Sequence, residues 1–88
     1  MKLVIAILRD VDHDPVSRAL TSQGFRVTLI ASTGGFLRHG STTLLIGVDD
    51  EQVEESLRLI RENCAPPGEP DTPRGTVFVL PVDQYTRL

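Results

Sequence analysis

One cysteine, Cys64, is all the thiol the chain has, which excludes an internal disulfide and any multi-thiolate metal site within a single copy. No apolar run approaches the ~20 residues of a membrane-spanning helix, so a membrane is not an expected partner. Cations are also short: nine Lys and Arg against twelve Asp and Glu give a formal charge of −3. Binding a phosphate polymer draws on many neutralising cations, so no polymeric nucleic acid is expected and any nucleotide partner should be small. Met1-Lys2 runs straight into an apolar segment without the basic, apolar and small-residue order of a secretory signal, and the expected location is cytoplasmic.

Catalytic constellations are equally sparse. His13 and His39 lack triad or metal spacing, and Ser17, Ser22, Ser32, Ser41 and Ser56 show no nucleophile-elbow context. The acidic group Asp49, Asp50, Glu51, Glu54 and Glu55 falls at a helix start, where negative charge complements the helix dipole. Neither an enzyme, a metal nor a cofactor is expected.

What is present is the pattern of one small domain covering residues 1–88, a length that buries roughly 60–65% of the unfolded surface. Leu3 to Leu8 is an uninterrupted aliphatic run, as expected of a strand covered on both faces. Asp12 or Asp14 can cap a following helix, with Pro15 in its first turn and Val16, Ala19 and Leu20 on one face. Gly24 ends that helix, and Phe25 to Ala31 alternates as a second strand. Thr43 to Val48 forms a third strand, and Asp49 or Asp50 caps a second helix with Val53, Leu57, Ile60 and Cys64 as its stripe. Residues 65–75, with four prolines, read as an exposed connection before a fourth strand from Thr76 to Val82.

The order βαββαβ is α+β and ferredoxin-like: a four-stranded antiparallel sheet with both helices on one face. Phe25, Val27, Leu29 and Ala31 are expected to meet the helices, leaving Arg26, Thr28, Ile30 and Ser32 on the other face. In the first and fourth strands both faces are apolar. Helices cover only one, so the other is expected to pack against further copies of the chain.

Thr33 to Thr43 is longer than a hairpin connection requires, and such loops are usually disordered or functional. Gly34 and Gly35 free the backbone to turn its N–H groups toward one point, and Arg38 adds positive charge. Phe36 and Leu37 suit a hydrophobic plug under the loop and a base-stacking platform equally. The loop leads into a strand and has no Gly-Lys-Ser/Thr ending, so it is not a P-loop. Arg26 offers five donors to a phosphate or a plane to a base, and Thr28 a hydroxyl; on residue type alone, Arg26 also suits an edge ion pair. Gly47, within an aliphatic strand, marks close approach by backbone or ligand.

With these residues in place, the chain resembles the PII-like cyclic di-AMP receptor family of bacterial signalling proteins over nearly its whole length. The resemblance is carried by Lys2-Leu3-Val4-Ile5-Ala6-Ile7, by Phe25-Arg26-Val27-Thr28, by Thr33-Gly34-Gly35-Phe36-Leu37-Arg38 with Gly40-Ser41-Thr42-Thr43, and by Gly75 to Asp83. It implies a homotrimer with dinucleotide pockets between subunits, a non-enzymatic signalling role and an unidentified downstream protein partner. It also implies that Arg26, Thr28, Gly35, Phe36, Leu37, Ser41, Gly47 and Phe78 line the pocket. Ser41 and Gly24 stand where the family usually has asparagine, and the 65–75 connection is shorter than the family's. These departures leave a second reading: a structural or interaction trimer that has lost cyclic di-AMP binding or takes another small nucleotide such as ATP.

Overall fold

The computed structural model describes residues 1–31, 41–66 and 74–88. Its elements run β1 (Lys2–Arg9), α1 (Asp10–Ser22), β2 (Arg26–Ala31), β3 (Ser41–Val48), a 3-10 turn (Asp50–Gln52), α2 (Val53–Asn63) and β4 (Gly75–Pro81). One antiparallel sheet orders them β2-β3-β1-β4, the ferredoxin-like arrangement expected from the sequence. β1 is central because its aliphatic residues can be covered on both faces; β2 and β4 are the edges.

Pairing sorts the side chains into two faces. Val27, Ile46, Val4 and Val79 form one cross-strand row on the helix side of the sheet, with Val79 exposed at its β4 end. There Val4, Ala6, Leu8, Leu44, Ile46 and Val48 pack with Val16 and Leu20 of α1 and with Leu59 and Ile60 of α2. Phe25 and Val27 join this core as expected, but Leu29 is exposed at the β2 edge. On the opposite face no helix among the described residues lies over the rows Arg26–Gly47–Leu3–Leu80 and Thr28–Leu45–Ile5–Phe78. Ile30, Phe78 and Leu80 stay exposed there, at 46%, 50% and 44%.

The start of α1 differs from the expected cap. The helix begins at Asp10, directly after β1, and neither Asp12 nor Asp14 caps it. Asp12 is instead fully buried within the first turn. Its carboxylate accepts from Arg9 Nε at 2.7 Å and from the Ala65 N–H at 2.8 Å, while Arg9 Nη2 donates to the Ala65 carbonyl at 2.7 Å. A carboxylate committed to a contact 53 residues away is not available as a local cap, and that long-range demand outweighs local preference. Asp10 accepts from Thr42 Oγ1 at 2.6 Å, tying the same turn to β3. Pro15 consequently lies inside α1 rather than in its first turn.

Gly24 ends α1 as expected. Its φ of +88° is left-handed, and Phe25 N–H reaches back to the Leu20 carbonyl at 3.1 Å while Gly24 N–H reaches Thr21 at 3.0 Å. These are the two bonds of a Schellman motif, and Leu20 and Phe25 are both in the core beneath it. At the second helix, Asp49 forms a capping box with Gln52, whose Oε1 accepts from the Asp49 N–H at 3.0 Å. Of the expected stripe, Ile60 is buried and Val53, Leu57 and Cys64 pack at its margin, with Leu59 added. Ala65 and Pro66 are exposed, residues 67–73 of the expected connection lie outside the described residues, and Gly75, expected to end the connection, already begins β4.

Asp12→Ala is expected to cost about 2–4 kcal/mol, because it strands Arg9 and the Ala65 N–H together. Urea denaturation at fixed protein concentration measures this, and a loss under ~1 kcal/mol would contradict it. A Cβ at Gly24 meets nothing within 4 Å, so Gly24→Ala is purely a backbone effect. It should cost ~1–2 kcal/mol, and Gly24→Asn less, because asparagine tolerates the left-handed region better.

Candidate functional site

The uncovered sheet face holds a cavity of about 490 Å³ at the end where β2 begins. Arg26 and Thr28 alternate onto this face from β2, and Gly47 pairs with Arg26 from β3. Leu3 and Leu45 complete an apolar floor. A Cβ on Gly47 would come within 3.2 Å of Met1 Cε, so the missing side chain keeps this end open. Met1 is held in place by its amine, 3.0 Å from Asp50, and the amine in turn holds the Asp50 carboxyl below the ordinary carboxylate range.

The electrostatics favour an anion. Two guanidiniums, Arg26 and Arg87, line the cavity, and no carboxylate does among the described residues. Neither arginine is in an ion pair with a described residue, so the edge-ion-pair reading of Arg26 finds no partner among them. An apolar floor, two cations with no ion-pair partner among the described residues and the Thr28 hydroxyl suit a ligand that joins phosphate to a flat base.

Of the eight site residues predicted from sequence, the structure brings Arg26, Thr28 and Gly47 together. Arg26 lies at the opposite end of β2 from the Gly-rich loop, ~16 Å along the strand from Ala31. Ser41 is on the same face but ~20 Å along β3 from Gly47. Phe78 shares a row with Thr28 across the whole sheet, three strand spacings or ~14 Å away at the other edge. Gly35, Phe36 and Leu37 lie outside the described residues.

Tyr85 and Arg87 line the cavity without having been predicted, as does Gln52. Their short polar segment has no periodicity to mark it, and only the path of the chain after β4 brings it here. A second groove of about 420 Å³ lies between α2 and β4, walled by Leu57, Ile60, Val77 and Val79 together with Arg61 and Arg74. Cys64 borders it, and burial pushes its thiol up, with the Asp12 charge adding to the effect. That shift disfavours the nucleophilic thiolate. Among the described residues no cluster of His, Cys, Asp and Glu could hold a metal ion, and no helix is long and apolar enough to cross a membrane.

A crystal structure of a functionally unknown protein from Pediococcus pentosaceus ATCC 25745 is similar over 99% of this chain and 96% of that one, with 41% identity and a TM-score of 0.80. The family model described as cyclic-di-AMP receptor matches residues 1–69, a span that takes in β1 through α2 and the residues Arg26, Thr28 and Gly47. On the match across most of its length, the chain belongs to the cyclic-di-AMP receptor family.

Proposed function

We propose that the protein is a non-enzymatic signalling receptor that binds cyclic di-AMP in clefts between the subunits of a cytoplasmic homotrimer and passes occupancy to a downstream protein. The observation that carries this is the convergence of Arg26, Thr28 and Gly47 on one cavity with no carboxylate among its described lining residues, in a chain matched to the cyclic-di-AMP receptor family. Arg26 meets a phosphate, Thr28 donates its hydroxyl beside it, and Gly47 leaves the room a ligand needs.

The separation of the remaining residues supports sharing between subunits. Phe78 and Thr28 stand on opposite edges of one sheet. A head-to-tail ring sets the β4 edge of one copy against the β2 edge of the next, so a neighbour's Phe78 approaches Thr28 across the joint. The same assembly covers the exposed apolar residues Ile30, Phe78 and Leu80. By the family resemblance, Gly35, Phe36, Leu37 and Ser41 are the further ligand contacts. Ser41 offers a hydroxyl in place of the family's carboxamide, which leaves one base contact to water.

Calorimetric titration of the full chain with cyclic di-AMP, ATP and cyclic di-GMP tests the ligand. Cyclic di-AMP is expected to bind most tightly; absence of heat up to high micromolar concentration would exclude it. Arg26→Ala should weaken binding by about 1.5–3 kcal/mol, the scale of a charge-assisted hydrogen bond, and an unchanged affinity would remove Arg26 from the site. Sedimentation velocity should give a trimer. A stable monomer would rule out a shared cleft.

A further inference from the structure

Gln52 closes the 3-10 turn that follows β3, and its side chain also lines the cavity beside Arg26. Within the turn its geometry is fixed. Gln52 Oε1 accepts the Asp49 N–H at 3.0 Å as one half of the capping box, and the Gln52 N–H donates to the Asp49 carbonyl at 2.9 Å. A backbone N–H can be met only by the oxygen of a carboxamide, so this bond decides which way round the amide stands. The two Nε2 hydrogens are left over. They have no acceptor among the described residues.

We propose that Gln52 is a ligand-binding residue of this cavity, its Nε2 donating to a phosphate oxygen of the bound nucleotide. The inference rests on the receptor reading above. The described lining residues include guanidiniums and no carboxylate, so a ligand phosphate is the strongest acceptor the amide can meet there. A free glutamine can present either end of its carboxamide, and the oxygen end would repel an anion. The capping box removes that choice, because turning the amide over would set its hydrogens against the Asp49 N–H. An amide already held in the turn also has little rotamer freedom left to lose on binding. The neighbouring carboxylate does not compete for it: Asp50 is 3.0 Å from the Met1 amine and is not among the lining residues. The start of α2 and one wall of the cavity are therefore set by the same side chain.

Glutamate serves a capping box as well as glutamine does, because its carboxylate also accepts the N-cap N–H. Gln52→Glu therefore keeps the helix start and removes the donor, whereas Gln52→Ala removes both. Wild type and both variants are titrated with cyclic di-AMP and with ATP by calorimetry, and the urea midpoint of each is measured without ligand. Nitrogen–proton correlation spectra follow the side-chain amides in the same titrations, and the pair missing from Gln52→Glu identifies Gln52. The Gln52 pair is expected to shift with the midpoint of the heat. Gln52→Glu should keep the wild-type urea midpoint yet lose tenfold or more in affinity, and Gln52→Ala should lower the urea midpoint and lose about fivefold. Affinity within twofold of wild type in either variant, or a Gln52 pair that stays in place while heat is released, would overturn the role of Gln52 and leave the receptor standing. If folded wild-type protein gives no heat with cyclic di-AMP, the receptor reading fails instead. ATP then decides Gln52: a shift of its amide pair supports the contact, and none overturns it.

Discussion

β1 has hydrogen-bonded neighbours on both sides and apolar side chains on both faces, and the protein can satisfy that strand only by covering the sheet twice. The two helices do it once. Val4, Ala6 and Leu8 disappear beneath them, while Leu3, Ile5 and Ile7 point to a face without helices. At ~25 cal/mol per Å² of apolar area removed from water, leaving such a face bare forfeits stabilisation that a domain of this size cannot easily spare. The demand for a second cover therefore sits in the hydrogen-bonding pattern of the central strand and does not depend on any single surface residue.

Polar residues on that face fall at both ends of it, Thr43, Thr76 and Ser41 at the one and Arg26 with Thr28 at the other. Arg26, Thr28 and Gly47 interrupt the apolar rows at the end of the sheet where Met1 is anchored and the tail returns. The interruption would be costly in the middle of a buried interface, since an unpaired charge there loses its hydration. At a corner it leaves a wet, cationic notch beside an apolar wall. Packing and recognition are thereby divided between different parts of the same face, and Gly47 maintains the division by contributing no side chain to either.

Periodicity made the fold legible: alternation assigned the faces of β2, and helical spacing found Val16, Leu20 and Ile60 in the core. Gly24 was legible because its left-handed φ is a local requirement of backbone geometry. The α1 start was not, because Asp12 is spoken for by Ala65, and nothing near Asp12 in the sequence announces a partner so distant. The cavity divides along the same line. Arg26, Thr28 and Gly47 stood out as exceptions to an apolar alternation, whereas Tyr85 and Arg87 are ordinary residues of a polar tail. Position along the strand was also hidden: residue numbers place Arg26 near the loop, but an extended strand carries the loop's exit ~16 Å away.

The first turn of α1 links this arrangement to the rest of the chain. Asp10 holds Thr42, just after the segment 32–40, and Arg9 with Asp12 holds Ala65, just before the segment 67–73. One end of each connection is thus fixed to the same turn, and Asp12, with no exposed surface, has no water to replace the partners it would lose by moving. Whatever conformation either connection takes, it departs from a fixed point on a rigid sheet. The corner carrying Arg26 and Gly47 is set independently of that turn, by β-pairing at the opposite end of the same strands.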